Sequence, residues 1–243
     1  MSPEIGEGLS NMGFTTLRGI NPDGKCQGYF NQVGVTYPFG TGSPDLDKIL
    51  ADQGKADFDA YLTSQMETCP ENVDSTDTAT AQRRKTFRSA AVGKKYLSFL
   101  YTAFESVPYA AHPNSATSAT VYDLETVKTV ELADIFADPK TAVPELWAFV
   151  AKGWCDQGHG TLPYHYGLSE ADNFCGPKTP PLPEALKASP VPLKAFGGVM
   201  LTKNGLHIYL DAMDAWSSAD GAADLEVPVD VLLTLGAKPE IWK

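Results

Sequence analysis

Apolar and polar positions alternate with a period of two in several segments of the chain, which is the pattern of strands with one buried face. The alternation predicts strands over residues 12–20, 26–37, 84–92, 95–104, 118–123 and 225–229. A hairpin is expected over 196–203 and 206–211, because Asn204-Gly205 is the residue pair typical of a type I′ turn.

Two segments have the spacing of helices instead. Ser43 followed by Pro44 has the signature of an N-cap and a first helical residue, and an apolar stripe continues from Leu46 to Met66, where Gly54 is expected to kink or split the helix. Residues 141–156 carry apolar side chains at i, i+3 and i+4. Together these elements predict an α+β fold with antiparallel sheet or sheets and helices packed on one face.

The order of the elements suggests two regions. We expect an N-terminal strand–helix region over residues 1–80 and an α+β domain over 81–243, or one compact unit made of both. The segment at about 155–192 is rich in Gly and Pro and reads as an irregular insertion in the second region. Long irregular segments in compact domains often carry function.

Composition excludes some classes of partner. The chain is 43% hydrophobic and 20% charged, which is typical of a globular protein, and its net charge is −11. Nucleic acid is not an expected partner, because phosphate binding needs concentrated Lys and Arg. A cationic protein or a neutral glycan suits an acidic surface better, although solubility alone also explains the acidity. No apolar run reaches the ~20 residues of a membrane span.

The four cysteines predict two disulfides. Of three connectivities we favour Cys26–Cys69 and Cys155–Cys175, each of which closes a loop within one region; four buried free thiols are the alternative. Disulfides indicate an oxidising compartment, so a periplasmic or secreted location is expected. The N-terminus lacks the basic-then-apolar pattern of a signal peptide, which we expect to have been removed.

Catalytic chemistry has no specific motif in this sequence. There is no Gly-x-Ser-x-Gly elbow, P-loop or Gly-x-Gly-x-x-Gly, and no two histidines have i, i+4 spacing. We therefore predict no catalytic residue, metal or cofactor. His207 is expected to be an ordinary sheet residue. A basic cluster is expected to be a solvated strand entry, with an anion site as the alternative: Arg83, Arg84, Lys85 and Arg88.

Two segments are candidates for recognition. Tyr109 to Asn114 forms a Pro-containing bend between two predicted strands, and the irregular insertion adds a second group of His and Tyr. The predicted binding residues are Tyr109, His112, Asn114, His159, Tyr164, His165 and Tyr166. The alternative for His112 is a structural hydrogen bond within its own loop, and for Tyr164 and Tyr166 it is core packing.

Three stretches resemble the RsiV-type extracellular domain. They are Ala111-His112-Pro113-Asn114, Tyr122-Asp123-Leu124-Glu125-Thr126, and Val130-Glu131-Leu132-Ala133-Asp134-Ile135-Phe136. The hairpin around Asn204-Gly205 fits the later part of that family, and Val35-Thr36-Tyr37-Pro38 fits the domain that usually precedes it. The sequence departs from the pattern at Val127, where the family has a turn glycine, and before His112, where glycines are expected.

The resemblance implies an α+β fold, an extracytoplasmic location and a binding role. Our leading hypothesis is a binding module of the cell envelope that recognises a lysozyme-like cationic protein or a peptidoglycan-type glycan. One alternative is an envelope glycan hydrolase or deacetylase that uses His112, His159 or His165. Another is a structural envelope protein with no soluble ligand.

Overall fold

The computed structural model describes residues 4–5, 12–69, 79–92, 95–108, 113–157, 175, 182–189, 191, 193–210 and 223–242. These residues form two compact units. The first unit takes residues 12–69, 79–88, 101–108 and 113–116, and the second takes the remaining described residues. The fold is α+β, as the sequence predicts, with two sheets in which antiparallel pairing dominates.

Ten strands and four α-helices lie in the described part of the chain. The strands are β1 (Glu4–Ile5), β2 (Gly13–Pro22), β3 (Tyr29–Phe39), β4 (Ala79–Val92), β5 (Tyr96–Ser106), β6 (Asn114–Asp123), β7 (Lys128–Thr129), β8 (Gly198–Thr202), β9 (Gly205–Leu210) and β10 (Ala223–Pro228). The helices are α1 (Pro44–Thr63), α2 (Leu132–Ile135), α3 (Pro139–Asp156) and α4 (Val229–Thr234). Short 3₁₀ helices lie at Glu184–Lys187, Leu193–Phe196 and Pro239–Trp242.

The larger sheet has the strand order β2-β3-β4-β5-β6-β7, and β1 pairs in parallel with β4. β2 is antiparallel to β3, whereas β3 and β4 are parallel. A parallel pair needs a crossover, and α1 lies in the chain between β3 and β4. The smaller sheet is an antiparallel meander in the order β10-β9-β8.

Helix α1 begins as the sequence predicts. The Ser43 hydroxyl accepts the Leu46 N–H at 3.3 Å, and Pro44 is the first helical residue. The prediction for Gly54 is wrong, because α1 continues through it without a break. Gly54 is buried against β3, and a Cβ atom there would lie 2.4 Å from Cδ1 of Tyr37. The glycine therefore permits close packing of the helix on the strand.

A buried arginine ties α1 to the sheet in the first unit. The Arg83 guanidinium, on β4, donates from Nη1 to Oδ1 of Asn31 at 2.5 Å and to the Ser64 carbonyl at 3.3 Å. Its Nε donates to Oε1 of Glu105 at 2.7 Å. One side chain thus joins β3, β4, β5 and the end of α1. The expectation that Arg83 lies in a solvated strand entry is wrong, since only 7% of the residue is exposed.

The second unit is built around α3. Its apolar stripe is buried as predicted, although the helix begins at Pro139 rather than Thr141, because Asp138 caps it by accepting the Lys140 N–H. The core of this unit combines the stripe with inward-facing residues of the small sheet and of α2. Ser98 of β5 is buried there too, and its hydroxyl both accepts the Leu201 N–H and donates to the Leu201 carbonyl at 2.8 Å.

The predicted hairpin is present, but its turn differs from the expected type. β8 and β9 pair from Gly198–Tyr209 to Thr202–Gly205, so the two-residue loop is Lys203-Asn204. Neither loop residue has a positive φ, which a type I′ turn requires. Gly205 has φ 146°, and a Cβ there would come within 2.1 Å of the Val227 carbonyl oxygen. The neighbouring strand, not the turn, requires this glycine.

Both disulfides have the favoured connectivity. The Cα atoms of Cys26 and Cys69 are 5.4 Å apart, and those of Cys155 and Cys175 are 5.5 Å apart. The first bridge belongs to a small cluster with Tyr29, Met66 and Ala81 beside the end of α1. Asp23 supports the same corner, because its carboxylate accepts the Met66 N–H at 2.7 Å.

Replacement of Gly54 tests its packing role. Gly54→Ala adds the helix propensity of alanine, worth ~1 kcal/mol, but forces a methyl group into the Tyr37 ring, which costs roughly 1–3 kcal/mol or more. We expect net destabilisation, measured by urea unfolding. Lys55→Ala at the exposed neighbouring position is the control, expected within about 0.5 kcal/mol of the wild type. A stabilised Gly54→Ala variant would contradict the packing argument.

Candidate ligand-binding face

Most of the predicted binding residues lie outside the described part of the chain. These are Tyr109, His112, His159, Tyr164, His165 and Tyr166. Asn114 is described; it is the first residue of β6 and is half-buried. The recognition loops proposed from the sequence therefore remain predictions.

The turn after β6 is held by Asp123. Its Oδ1 accepts the N–H groups of Glu125 at 2.8 Å and Thr126 at 3.1 Å, and Lys95 Nζ lies 3.4 Å from its Oδ2. Burial by itself would raise the pKa of Asp123, but the two N–H donors and the ammonium group together hold this pKa below its ordinary value. The ionised carboxylate is therefore the form that the fold stabilises.

Val127 closes this turn in a strained conformation. Its N–H donates to the Asp123 carbonyl at 2.8 Å, and its φ is 56°, in the left-handed region that a β-branched residue rarely occupies. This is the position at which the RsiV-type pattern has glycine. The backbone thus has a conformation that glycine favours and that the valine side chain disfavours.

Helix α2 begins just after this turn, where the Glu131 N–H donates to Oδ2 of Asp134.

His207 lies on the small sheet, as expected from its alternation. Its Nδ1 is 3.0 Å from Oδ1 of Asp224, and its ring stacks beside Tyr209 with 6.3 Å between centroids.

Nowhere in the described ranges do three or more His, Cys, Asp or Glu side chains gather in a way suited to a metal ion. None of the helices that the structure describes is both long and apolar enough to cross a bilayer.

The sequence reasoning missed a second surface, on the first unit. Helix α1 covers one face of β2 and β3: Gly19 of β2 faces Phe58 and Leu62, and Asn21 donates to the Leu62 carbonyl at 3.1 Å. The alternate residues of β2 point away from α1 and are exposed: Phe14, Thr16, Arg18 and Ile20. We call that side of β2, β3 and β4 the open face.

The open face carries a groove of about 770 Å³. From β2 it is lined by Phe14, Thr16, Arg18, Gly19 and Ile20. From β3 and β4 it is lined by Gln32, Val33, Gly34, Thr36, Arg84 and Thr86. This volume lies within the range of small-molecule sites.

Two large apolar side chains lie at opposite ends of the β2 segment of this groove. Phe14 is 47% exposed and Ile20 is 66% exposed. They are six residues apart, which corresponds to about 20 Å along a strand. Between them the side chains of the open face are polar, and the hydroxyls of Thr16 and Thr36 are hydrogen-bonded at 3.0 Å. The groove thus has apolar ends and a floor of hydroxyl and amide groups.

The groove is basic although the chain is acidic. Among the residues that the structure describes, Arg18 and Arg84 are the only charged ones in its lining. Arg84 donates to Oε1 of Gln82 at 2.7 Å, and within the described part of the chain neither guanidinium has a carboxylate partner. By contrast, Lys85 on the α1 side of β4 pairs with Asp57 at 2.6 Å. The open face therefore presents two arginines to solvent without a neutralising charge.

A signal for this face was present in the sequence. For the cluster Arg83, Arg84, Lys85 and Arg88, the anion-site alternative remains a prediction that concerns Arg84 among the described side chains, because successive strand residues point to opposite sides and Arg83 and Lys85 face α1. The Arg88 side chain lies outside the described part of the structure. Gly34 also lies between Val33 and Val35, so β3 has no side chain at this position on the face opposite to Val33, Val35 and Tyr37. The alternation by itself left open which side α1 would cover.

We compared the chain with known proteins. No protein-family model and no curated protein matches the sequence. A DUF3298-family protein from Bacteroides fragilis has 14% identity and a TM-score of 0.53, over 93% of this chain and 94% of its own. A DUF3298-family protein from Pseudomonas aeruginosa has 13% identity and a TM-score of 0.50, over 95% and 96%. The chain has a DUF3298-like fold.

At these identities the likeness concerns the fold alone. The DUF3298-like fold runs through almost the whole length of each chain, so neither unit is an unrelated addition. The site residues of this chain have to be argued from its own geometry.

Substitution of Val127 tests the strained turn. A left-handed φ costs an L-residue roughly 1–2 kcal/mol, and glycine avoids this at an entropic cost of about 0.5–1 kcal/mol. We expect Val127→Gly to stabilise the protein by about 0.5–1 kcal/mol in urea unfolding. Val127→Asn should give a smaller gain, because asparagine tolerates this region. A loss of stability in both variants would show that the Val127 side chain contributes more than the strain costs.

The Asp123 carboxylate should make stability depend on pH. The pKa of Asp123 is lowered in the folded state. The contribution of its carboxylate to the free energy of unfolding is therefore complete above pH ~4, the pKa in the unfolded chain, and is lost as the pH falls through the pKa of the folded state. Asp123→Asn should lower the free energy of unfolding by about 1–2 kcal/mol at pH 7, and the difference should shrink below pH ~4. Glu145→Gln, at an exposed position on α3, is the control. A difference that did not change with pH would contradict this assignment.

Proposed function

We propose that this protein is an extracytoplasmic binding module of the cell envelope, related to the RsiV-type extracellular domain, and that it binds a peptidoglycan-type glycan on the open face. The observation that carries the proposal is the groove between Phe14 and Ile20 with its polar, basic floor. An enzymatic role is not part of the proposal.

The two disulfides support an extracytoplasmic location. Such bridges form and persist in oxidising compartments. The RsiV-type relationship is supported by the motif stretch from Ala111 to Phe136 together with the DUF3298-like fold. That relationship implies a periplasmic or secreted domain with a binding role.

A glycan suits the lining of the groove. Threonine hydroxyls and the Gln32 amide offer both donors and acceptors, which sugar hydroxyl and acetamido groups require. The exposed ring of Phe14 provides a flat apolar surface against which a sugar ring packs. A groove that runs along a strand for about 20 Å also fits an extended polymer better than a compact metabolite.

A lysozyme-like cationic protein is the second candidate, on a different observation. The net charge of −11 would attract a cationic partner and speed its encounter. The open face itself does not favour this partner, because Arg18 and Arg84 would repel it. The partner would bind elsewhere on the chain.

The test of the glycan proposal is calorimetric titration with soluble peptidoglycan glycan strands and, separately, with lysozyme. We expect the wild type to bind the glycan and Phe14→Ala to weaken that binding about two- to tenfold, since an aromatic contact is worth roughly 0.5–1.5 kcal/mol. Phe14 is half-exposed, so its truncation should leave the melting temperature nearly unchanged.

Leu233→Ala, which removes an exposed apolar side chain from α4, is the matched control and should not affect glycan binding. Equal glycan affinity for the wild type and Phe14→Ala would remove the open face from the proposal. Binding of lysozyme alone, with affinity that falls as salt is added, would favour the second candidate.

A further inference from the structure

Two arginines and a glycine form one row across the open face. Arg18 of β2 is paired with Gly34 of β3, and Gly34 is paired in turn with Arg84 of β4. Two strand spacings put the Cα atoms of the arginines about 10 Å apart. Gly34 has no side chain, so the row has a gap in its middle, between the two arginine positions.

The space above Gly34, where a side chain would be, is open and is not filled by a neighbouring group. A Cβ atom built on Gly34 would have only Cγ of Arg84 within 4 Å, at 3.8 Å. The rows on either side are filled, since Ile20 pairs with Gln32 and Thr16 pairs with Thr36. The open face therefore has a slot at this row, with the β3 backbone as its floor.

We propose that the Arg18–Gly34–Arg84 slot binds a carboxylate of the ligand and selects carboxylated amino-sugar polymers over neutral ones. Guanidinium groups match carboxylates in charge and in planar geometry, and each has several N–H donors. Neither arginine has a carboxylate partner within the described residues, so a ligand carboxylate would not have to displace a protein carboxylate, although at Arg84 it would share the guanidinium with the Gln82 amide. Among the described residues, no acidic side chain lines the groove to oppose it.

This inference rests on the proposed function and narrows its ligand. The glycan proposal requires a polymer in the groove, whereas the slot requires a carboxylate at one defined row. Peptidoglycan glycan strands freed of their stem peptides carry a free lactyl carboxylate on alternate sugars, and chitooligosaccharides of the same length lack it. The two polymers thus separate recognition of the sugar from recognition of the acid.

The experiment is calorimetric titration of the full chain with the two polymers at matched length. We expect the wild type to bind the carboxylated strand at least tenfold more tightly than the chitooligosaccharide. Arg18→Gln and Arg84→Gln should each reduce this preference, and the double variant should abolish it while weak binding of the neutral polymer persists. Lys48→Gln, which removes an exposed cation from α1, should keep the preference.

Gly34→Val tests the slot without removing a charge. The space around Gly34 accepts a Cβ, and a β-branched residue suits a strand, so this variant should fold at least as well as the wild type. Its side chain fills the gap, and we expect the affinity for the carboxylated strand to fall at least tenfold. Gly34→Ala should have a smaller effect. A thermal melt of each variant reports on folding.

The outcomes separate the two proposals. Equal affinity of the wild type for both polymers would overturn the slot and leave the glycan function standing. Failure to bind either polymer would overturn both. An unchanged preference in Arg18→Gln, Arg84→Gln and Gly34→Val would also overturn the slot. Binding of a polyglutamate peptide as tightly as the carboxylated strand would overturn the selection of a glycan.

Discussion

The buried guanidinium of Arg83 determines how the first unit is arranged. A charged group is tolerated in an interior only when it is paired and hydrogen-bonded, and Arg83 has Asn31, Glu105 and the Ser64 carbonyl as partners. All of these lie on the α1 side of the sheet. Because strand residues alternate, placing Arg83 there directs Arg84 to the opposite side. The interaction that holds the helix to the sheet thereby creates the basic character of the open face.

Two glycines contribute to this arrangement in opposite ways. Gly54 is needed because the Tyr37 ring occupies the space of its missing side chain, so the glycine brings α1 close to β3. Gly34, on the other side of β3, has almost nothing in the corresponding space. The first glycine therefore has a structural explanation, whereas packing does not explain the second. A glycine with open space beside it in the middle of a strand, between two arginines that have no carboxylate partner among the described residues, is instead consistent with a ligand contact.

Local rules predicted the elements of this fold well. Ser43 and Pro44 begin α1, the apolar stripe of α3 is buried, and the cysteines pair within their own regions of the chain. Each of these depends on residues close in sequence or on a period that the sequence displays directly. The α+β class follows from the same elements.

Features decided by distant residues were predicted poorly. Gly54 looked like a kink because its contact with Tyr37 is a tertiary one. Gly205 looked like a turn residue, yet the Val227 carbonyl of the neighbouring strand is what excludes a side chain there. Arg83 looked solvated because its partners come from β3, β5 and the end of α1. The open face was missed for the same reason, since the alternation of β2 does not say which side a helix will cover.

The overall charge and the local charge of this protein act over different distances. The net charge of −11 repels an anionic polymer at long range, but salt at physiological concentration screens exposed charges beyond about 8 Å. Within the groove, the charges of the described lining residues are those of Arg18 and Arg84, and no described carboxylate in the lining offsets them. An acidic chain can therefore still hold a carboxylate there, because the short-range contacts decide the binding while the distant charges mainly slow the approach. The acidity is thus a property of the whole chain, whereas the two arginines are a local property of the open face.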